Sequence, residues 1–134
     1  RLMVRTAAAL ARREGAEVLV TGDSLGQVSS QTLRNMAVIE EASDLPLLRP
    51  LLAFDKAEIV AEAKEIGTLD VAILPAEDCC TLFSSPVAET RAELERLRAL
   101  EARIEVADTV ETLLGSAEVV YPRYEPEREG SLVG

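Results

Sequence analysis

Two short stretches of this chain carry residues whose types and spacing could do chemistry. The first is TGDSLGQVSSQT, residues 21–32, in which Gly22 and Gly26 stand four positions apart with Asp23 between them. Glycine lets a backbone come close to a ligand. Ser24, Gln27, Ser29, Ser30 and Gln31 add donors and acceptors suited to a base or a ribose. An ordinary strand-to-helix turn with polar caps would use the same residues, and two glycines in a loop are a weak motif by themselves.

The second stretch is PAEDCCTLFSSP, residues 75–86, with Cys79 and Cys80 side by side. A cysteine attacks as the thiolate. Glu77 and Asp78, if near in space, raise a thiol's pKa and oppose attack; a helix N-terminus or an arginine would do the reverse. Two free cysteines also serve as small core hydrophobes. Adjacent cysteines make a strained disulfide, so a reducing cytoplasm is the expected compartment. With no histidine and only two sulfurs, a zinc site is not expected, and no residue is assigned as a metal ligand. Asp23, Asp55, Glu77 and Asp78 could face Mg²⁺ beside a phosphate, although Asp55 stands equally well as a helix cap. Arg1, Arg5, Arg12 and Arg13 form the one basic patch, fit for phosphate or for a solvated helix face.

These residues need elements to hold them. Met3, Ala7, Leu10 and Ala11 fall on one side of a helix over 2–14, with Gly15 as its stop. EVLVT (17–21) reads as a buried strand leading into the glycine loop. A helix over 29–42 follows, capped by Ser29 or Ser30, with Leu33, Met36, Ala37 and Glu40 along one side. LPLLRPLL (45–52) holds two prolines and suits a short edge strand or extended loop. Asp55 and Glu58 have capping-box spacing before a helix that ends at Gly67. DVAIL (70–74) is expected as a third strand, 87–105 as a long helix with Leu94, Leu97, Leu100 and Ile104 inward, and 107–115 as a short helix. Alternation of this kind predicts an α/β fold, a parallel sheet with helices on both faces.

The bulk numbers agree with one folded unit. The chain has 134 residues, 48% hydrophobic and 28% charged, and only four are Phe or Tyr. Ala, Leu and Val must therefore fill the core. The net charge of −10 repels free nucleic acid, whose binding relies on Lys and Arg displacing counterions. No apolar run approaches the roughly 20 residues of a membrane span, so no membrane partner is expected.

TGDSLGQVSSQT, then LRPLLAFDKAEIVAEAKEIGTLD, then PAEDCCTLF resembles the C-terminal half of the pyrophosphatase-loop domain of ThiI-type tRNA 4-thiouridine synthases. The three blocks keep the family's order and cover about residues 1–91. The resemblance implies an adenine nucleotide alpha hydrolase-like, Rossmann-like domain over 1–120, incomplete at its N-terminus, followed by a loose tail over 121–134. It implies ATP, with Mg²⁺, as cosubstrate. Such enzymes adenylate a tRNA uridine at its carbonyl oxygen, and persulfide sulfur then displaces AMP to give 4-thiouridine. The positions matching the family's adenylate contacts are Gly22 and Gln31. The position matching its catalytic sulfur acceptor is Cys80. The implied partners are tRNA, held mainly by modules outside this chain, and a cysteine desulfurase as sulfur donor.

Thiazole synthesis for thiamine is a second destination of the sulfur within the same class. The family's phosphate-binding loop has no counterpart in these residues, and SSPV (84–87) stands where relatives carry a basic segment. The other reading is therefore a catalytically incompetent half-domain that binds adenylate weakly or acts as an interaction module. A chain folding alone in this way is expected to dimerise over its open sheet edge.

Overall fold

The computed structural model describes residues 1–75 and 89–121. Helix α1 (Leu2–Glu14) comes first. Strand β1 (Leu19–Val20), helix α2 (Leu33–Glu40) and strand β2 (Leu47–Leu48) form a βαβ unit. Helices α3 (Lys56–Glu65), α4 (Leu69–Ala72), α5 (Leu94–Glu101) and α6 (Val106–Gly115) complete the described residues. The strands are parallel, with Leu19 opposite Leu47 and Val20 opposite Leu48. The predicted α/β class holds, as a small parallel sheet flanked by helices. Pro46 and Pro50 bracket β2 and cannot donate to a ladder, which keeps it short.

Local signals set several boundaries. Gly15 adopts a left-handed conformation (φ 72°), and the N–H groups of Gly15 and Ala16 close on the carbonyls of Arg12 and Ala11. The Asp55–Glu58 capping box forms in both directions, at 2.9 and 2.7 Å. Asp55 is thus a cap.

Other expectations need correction. DVAIL is not a strand: Leu69–Ala72 is one helical turn, and Val71, Ile73 and Leu74 stay exposed. Among the described residues no strand lies beside it to accept a ladder. Helix α2 starts at Leu33, with Thr32 as the N-cap in place of Ser29 or Ser30. Its buried residues are Asn35, Met36 and Val38, whereas Leu33, Ala37 and Glu40 face out. In α1 the buried pair is Ala8 and Ala11, while Met3 is 85% exposed. Of the expected stripe Ala11 is buried, whereas Met3, Ala7 and Leu10 are exposed; the helix packs against α6 and β1.

Of the long helix expected over 87–105, the described residues from 89 onward form a helix only over Leu94–Glu101, and Leu100 and Ile104 are about half exposed. The cause is a strap. Residues 89–92 are drawn across the start of α2, where the Asn35 amide donates to the Ser30 and Glu89 carbonyls and accepts from the Ala92 N–H. Thr32 and Arg34 hold the Thr90 and Ala92 carbonyls. Backbone groups bound in this way cannot join a helix.

Candidate functional site

The glycine loop leaves the carboxyl end of β1, where open α/β sheets bind ligands. It is held at several points. The Leu25 N–H donates to the Leu52 carbonyl and the Gly26 N–H to that of Gln31. Gly26 has φ 76°, a conformation that favours glycine. Ser24 is 2% exposed and donates its hydroxyl to the Phe54 carbonyl at 2.7 Å, tying the loop to the residue before the Asp55 cap.

These restraints leave a cavity of about 320 Å³, lined by Gly22, Ser24, Gln27, Gln31, Lys56 and Ile59 among others. The size falls at the lower end of small-ligand clefts, roughly 300–1,000 Å³. Both residues assigned to the adenylate therefore meet in one place. A Cβ built on Gly22 would touch nothing within 4 Å, so the space directly beside it is open. Gln31 presents a buried side-chain oxygen with no hydrogen-bond partner among the described residues. A buried polar group left without a partner costs free energy.

Lys56 is a cavity residue that sequence reasoning missed. It opens α3, directly after the cap. The signal was available: a helix macrodipole favours acids at that end, so a lysine there gains nothing from the helix. Arg49 was also missed. It pairs with Asp23 at 3.2 Å and with Glu40 at 2.8 Å. Burial opposes the Arg49 charge, but the hydrogen bonds to Glu40 and Asp23 outweigh it and raise its pKa. Asp23 and Asp55 thus already have protein partners.

A larger cavity of about 540 Å³ lies along α2 and α5, with Met36, Ile39, Leu97 and Leu100 in its wall. Gln31 lines both cavities, whereas Gly22 and Lys56 belong only to the smaller. Polar residues line the larger cavity too, Arg1, Asp23, Asn35 and Glu101 among them; what sets the smaller apart is that Gly22 and Gln31 share its wall.

The N-terminal arginines are mostly spent within the chain. Arg1 and Arg5 reach Glu101 at 2.8 and 3.1 Å, and Arg1 also reaches Glu41 at 2.7 Å. Hydrogen bonds from Arg1 and then Arg5 hold the Glu101 carboxyl down to about 2. Arg12 pairs with Asp44, and Arg13 is exposed. The patch read as fit for phosphate or for a solvated helix face is largely a clamp between helices. Cys79, Cys80, Glu77, Asp78 and the SSPV segment lie outside the described residues, as does the tail from 122 onward. Among the described residues no helix is long and apolar enough to cross a membrane, and no cluster of three potential metal ligands occurs.

The family model described as thiamine biosynthesis protein (ThiI) matches residues 1–106. A probable tRNA sulfurtransferase of Thermus thermophilus is 51% identical over 120 residues, covering 90% of this chain and 30% of that protein. One from Moorella thermoacetica is 47% identical over 129 residues, covering 96% and 33%. The fold matches a crystal structure described as a 4-thiouridine synthetase–RNA complex with bound ATP, with a TM-score of 0.78 and 39% identity over 86% of this chain and 30% of that one. The chain thus spans about a third of the length of these relatives. A family model extending over most of the chain, joined to a shared fold and to identity at half of the aligned positions, places the chain in the ThiI family.

Proposed function

We propose that this chain forms part of an ATP-dependent tRNA sulfurtransferase and supplies the adenylate side of its active site. The observation that carries the reading is the cavity after β1, where Gly22, with open space beside it, meets the unpartnered amide of Gln31. Gly22 leaves room for the base. Gln31 gains, on ligand binding, the hydrogen bond it lacks. The Lys56 ammonium faces the phosphates, which enter with Mg²⁺. A 39% identical structure with ATP and RNA bound supports this choice of ligand.

The proposed reaction begins with attack of the uridine carbonyl oxygen on the α-phosphate of ATP, which releases pyrophosphate. The terminal sulfur of a Cys80 persulfide, loaded by a cysteine desulfurase, attacks the activated carbon and expels AMP, which leaves the uridine joined to Cys80 by a disulfide. A dithiol reductant then attacks the Cys80 sulfur, releases 4-thiouridine as the thiolate, and its second thiol frees Cys80. Glu89, nine residues after Cys80, is anchored on Asn35 close to Gln31. The isolated 134-residue chain is expected to bind ATP weakly and to be inactive, for want of a phosphate loop.

The test is made in the full-length protein, with ATP, desulfurase, cysteine, dithiothreitol and unmodified tRNA. Nucleoside mass spectrometry should find 4-thiouridine only when ATP is present. Thiouridine formed without ATP, or none formed in the complete mixture, refutes the reading.

A further inference from the structure

We propose that Arg49 is a positioning residue for the nucleotide site, joining the loop that carries Gly22 to the helix that begins just after Gln31; this rests on the nucleotide reading above. Arg49 follows β2 directly, at the same end of the parallel pair as the glycine loop. Its side chain is only 9% exposed, deep for a cation. Nε donates to Asp23 Oδ2 at 3.2 Å, Nη1 to Glu40 Oε2 at 2.8 Å, and Nη2 to the Met36 carbonyl at 3.4 Å.

None of these partners lines the smaller cavity, but each sits on the loop or the helix that borders it. Asp23 is the neighbour of Gly22, and its Oδ2 also accepts from the Thr21 hydroxyl at 2.7 Å. Met36 and Glu40 lie on α2, whose Thr32 cap immediately follows Gln31. Arg49 does not line the smaller cavity, so it acts through these groups. The geometry demands a planar fork of donors pointing in three directions, which guanidinium has and an ammonium lacks. Ser24 pins the far side of the loop to Phe54, which leaves Arg49 to set the distance between Gly22 and α2.

The test uses the full-length protein and steady-state 4-thiouridine formation with ATP and tRNA varied separately. Arg49→Met should raise the KM for ATP about tenfold, the scale of losing hydrogen bonds to a charged group, and leave the KM for tRNA unchanged. Arg49→Lys should raise it about threefold, since one partner can still be reached. Asp23→Asn combined with Arg49→Met should be no worse than Arg49→Met alone, because the two act along one path. An unchanged KM for ATP overturns the proposal. So do effects that multiply in the double variant, or a loss of activity that merely tracks a fall in Tm. If Arg49→Met fails to fold, Arg49→Lys decides by the same KM comparison. Gln31→Met separates the two ideas. If it leaves the KM for ATP unchanged, the nucleotide reading fails; if it raises the KM while Arg49→Lys behaves as wild type, only the role of Arg49 fails.

Discussion

Gln31→Met should weaken ATP binding without weakening the fold. Methionine nearly matches glutamine in length and volume, so the cavity wall keeps its shape. In the nucleotide-free protein the buried side-chain oxygen of Gln31 has no partner among the described residues. Leaving such a group unpaired costs about 1–3 kcal/mol, part of which the thioether relieves. Stability without nucleotide should therefore hold or rise, by up to about 1 kcal/mol. ATP then finds no amide to bond, and binding should weaken by about 1–2 kcal/mol. That corresponds to roughly 5–30-fold in Kd. Urea unfolding of the nucleotide-free full-length protein gives the first quantity, and calorimetric titration with ATP gives the second. A less stable variant with unchanged ATP affinity would make Gln31 a structural residue and refute the reasoning.

Three further outcomes can be checked. Gly22→Ala should cost no stability, since the added carbon meets nothing within 4 Å and Gly22 is not among the glycines with positive φ, yet the methyl should lower ATP affinity measured by the same calorimetry. Glu101→Gln should remove the clamp with Arg1 and Arg5. The Glu101 carboxyl titrates near 2 when folded, below its ordinary 4.5, so its contribution is present above about pH 4.5 and fades as pH falls toward 2. The loss at neutral pH should be about 1–2 kcal/mol after allowing for solvent screening, and wild type and variant should converge in unfolding curves at about pH 2. Cys80→Ser should abolish thiolation while ATP-dependent adenylation continues, and Cys79→Ser should spare both; a persulfide found by mass spectrometry on Cys79 alone would reverse the assignment.

What sequence alone determined was mostly local. The stop at Gly15, the Asp55–Glu58 box and the turn at Gly26 involve residues within about five positions, so their chemistry is legible in order along the chain. The pairing of Gly22 with Gln31 came from blocks of matching sequence, and both residues line one cavity. Tertiary structure decided what depends on distant partners. Asn35 binds backbone more than fifty residues away and thereby cuts short a helix that composition alone would extend. Ala8 is buried while Met3 is not, because only contact with α6 and β1 selects a face. Arg1 and Arg5 look like a phosphate patch until Glu101 arrives from the other end of the chain. Arg49 gives no local sign of its task, since Asp23 precedes it by 26 positions and Glu40 by nine, and a guanidinium's partners are set by where the chain folds back.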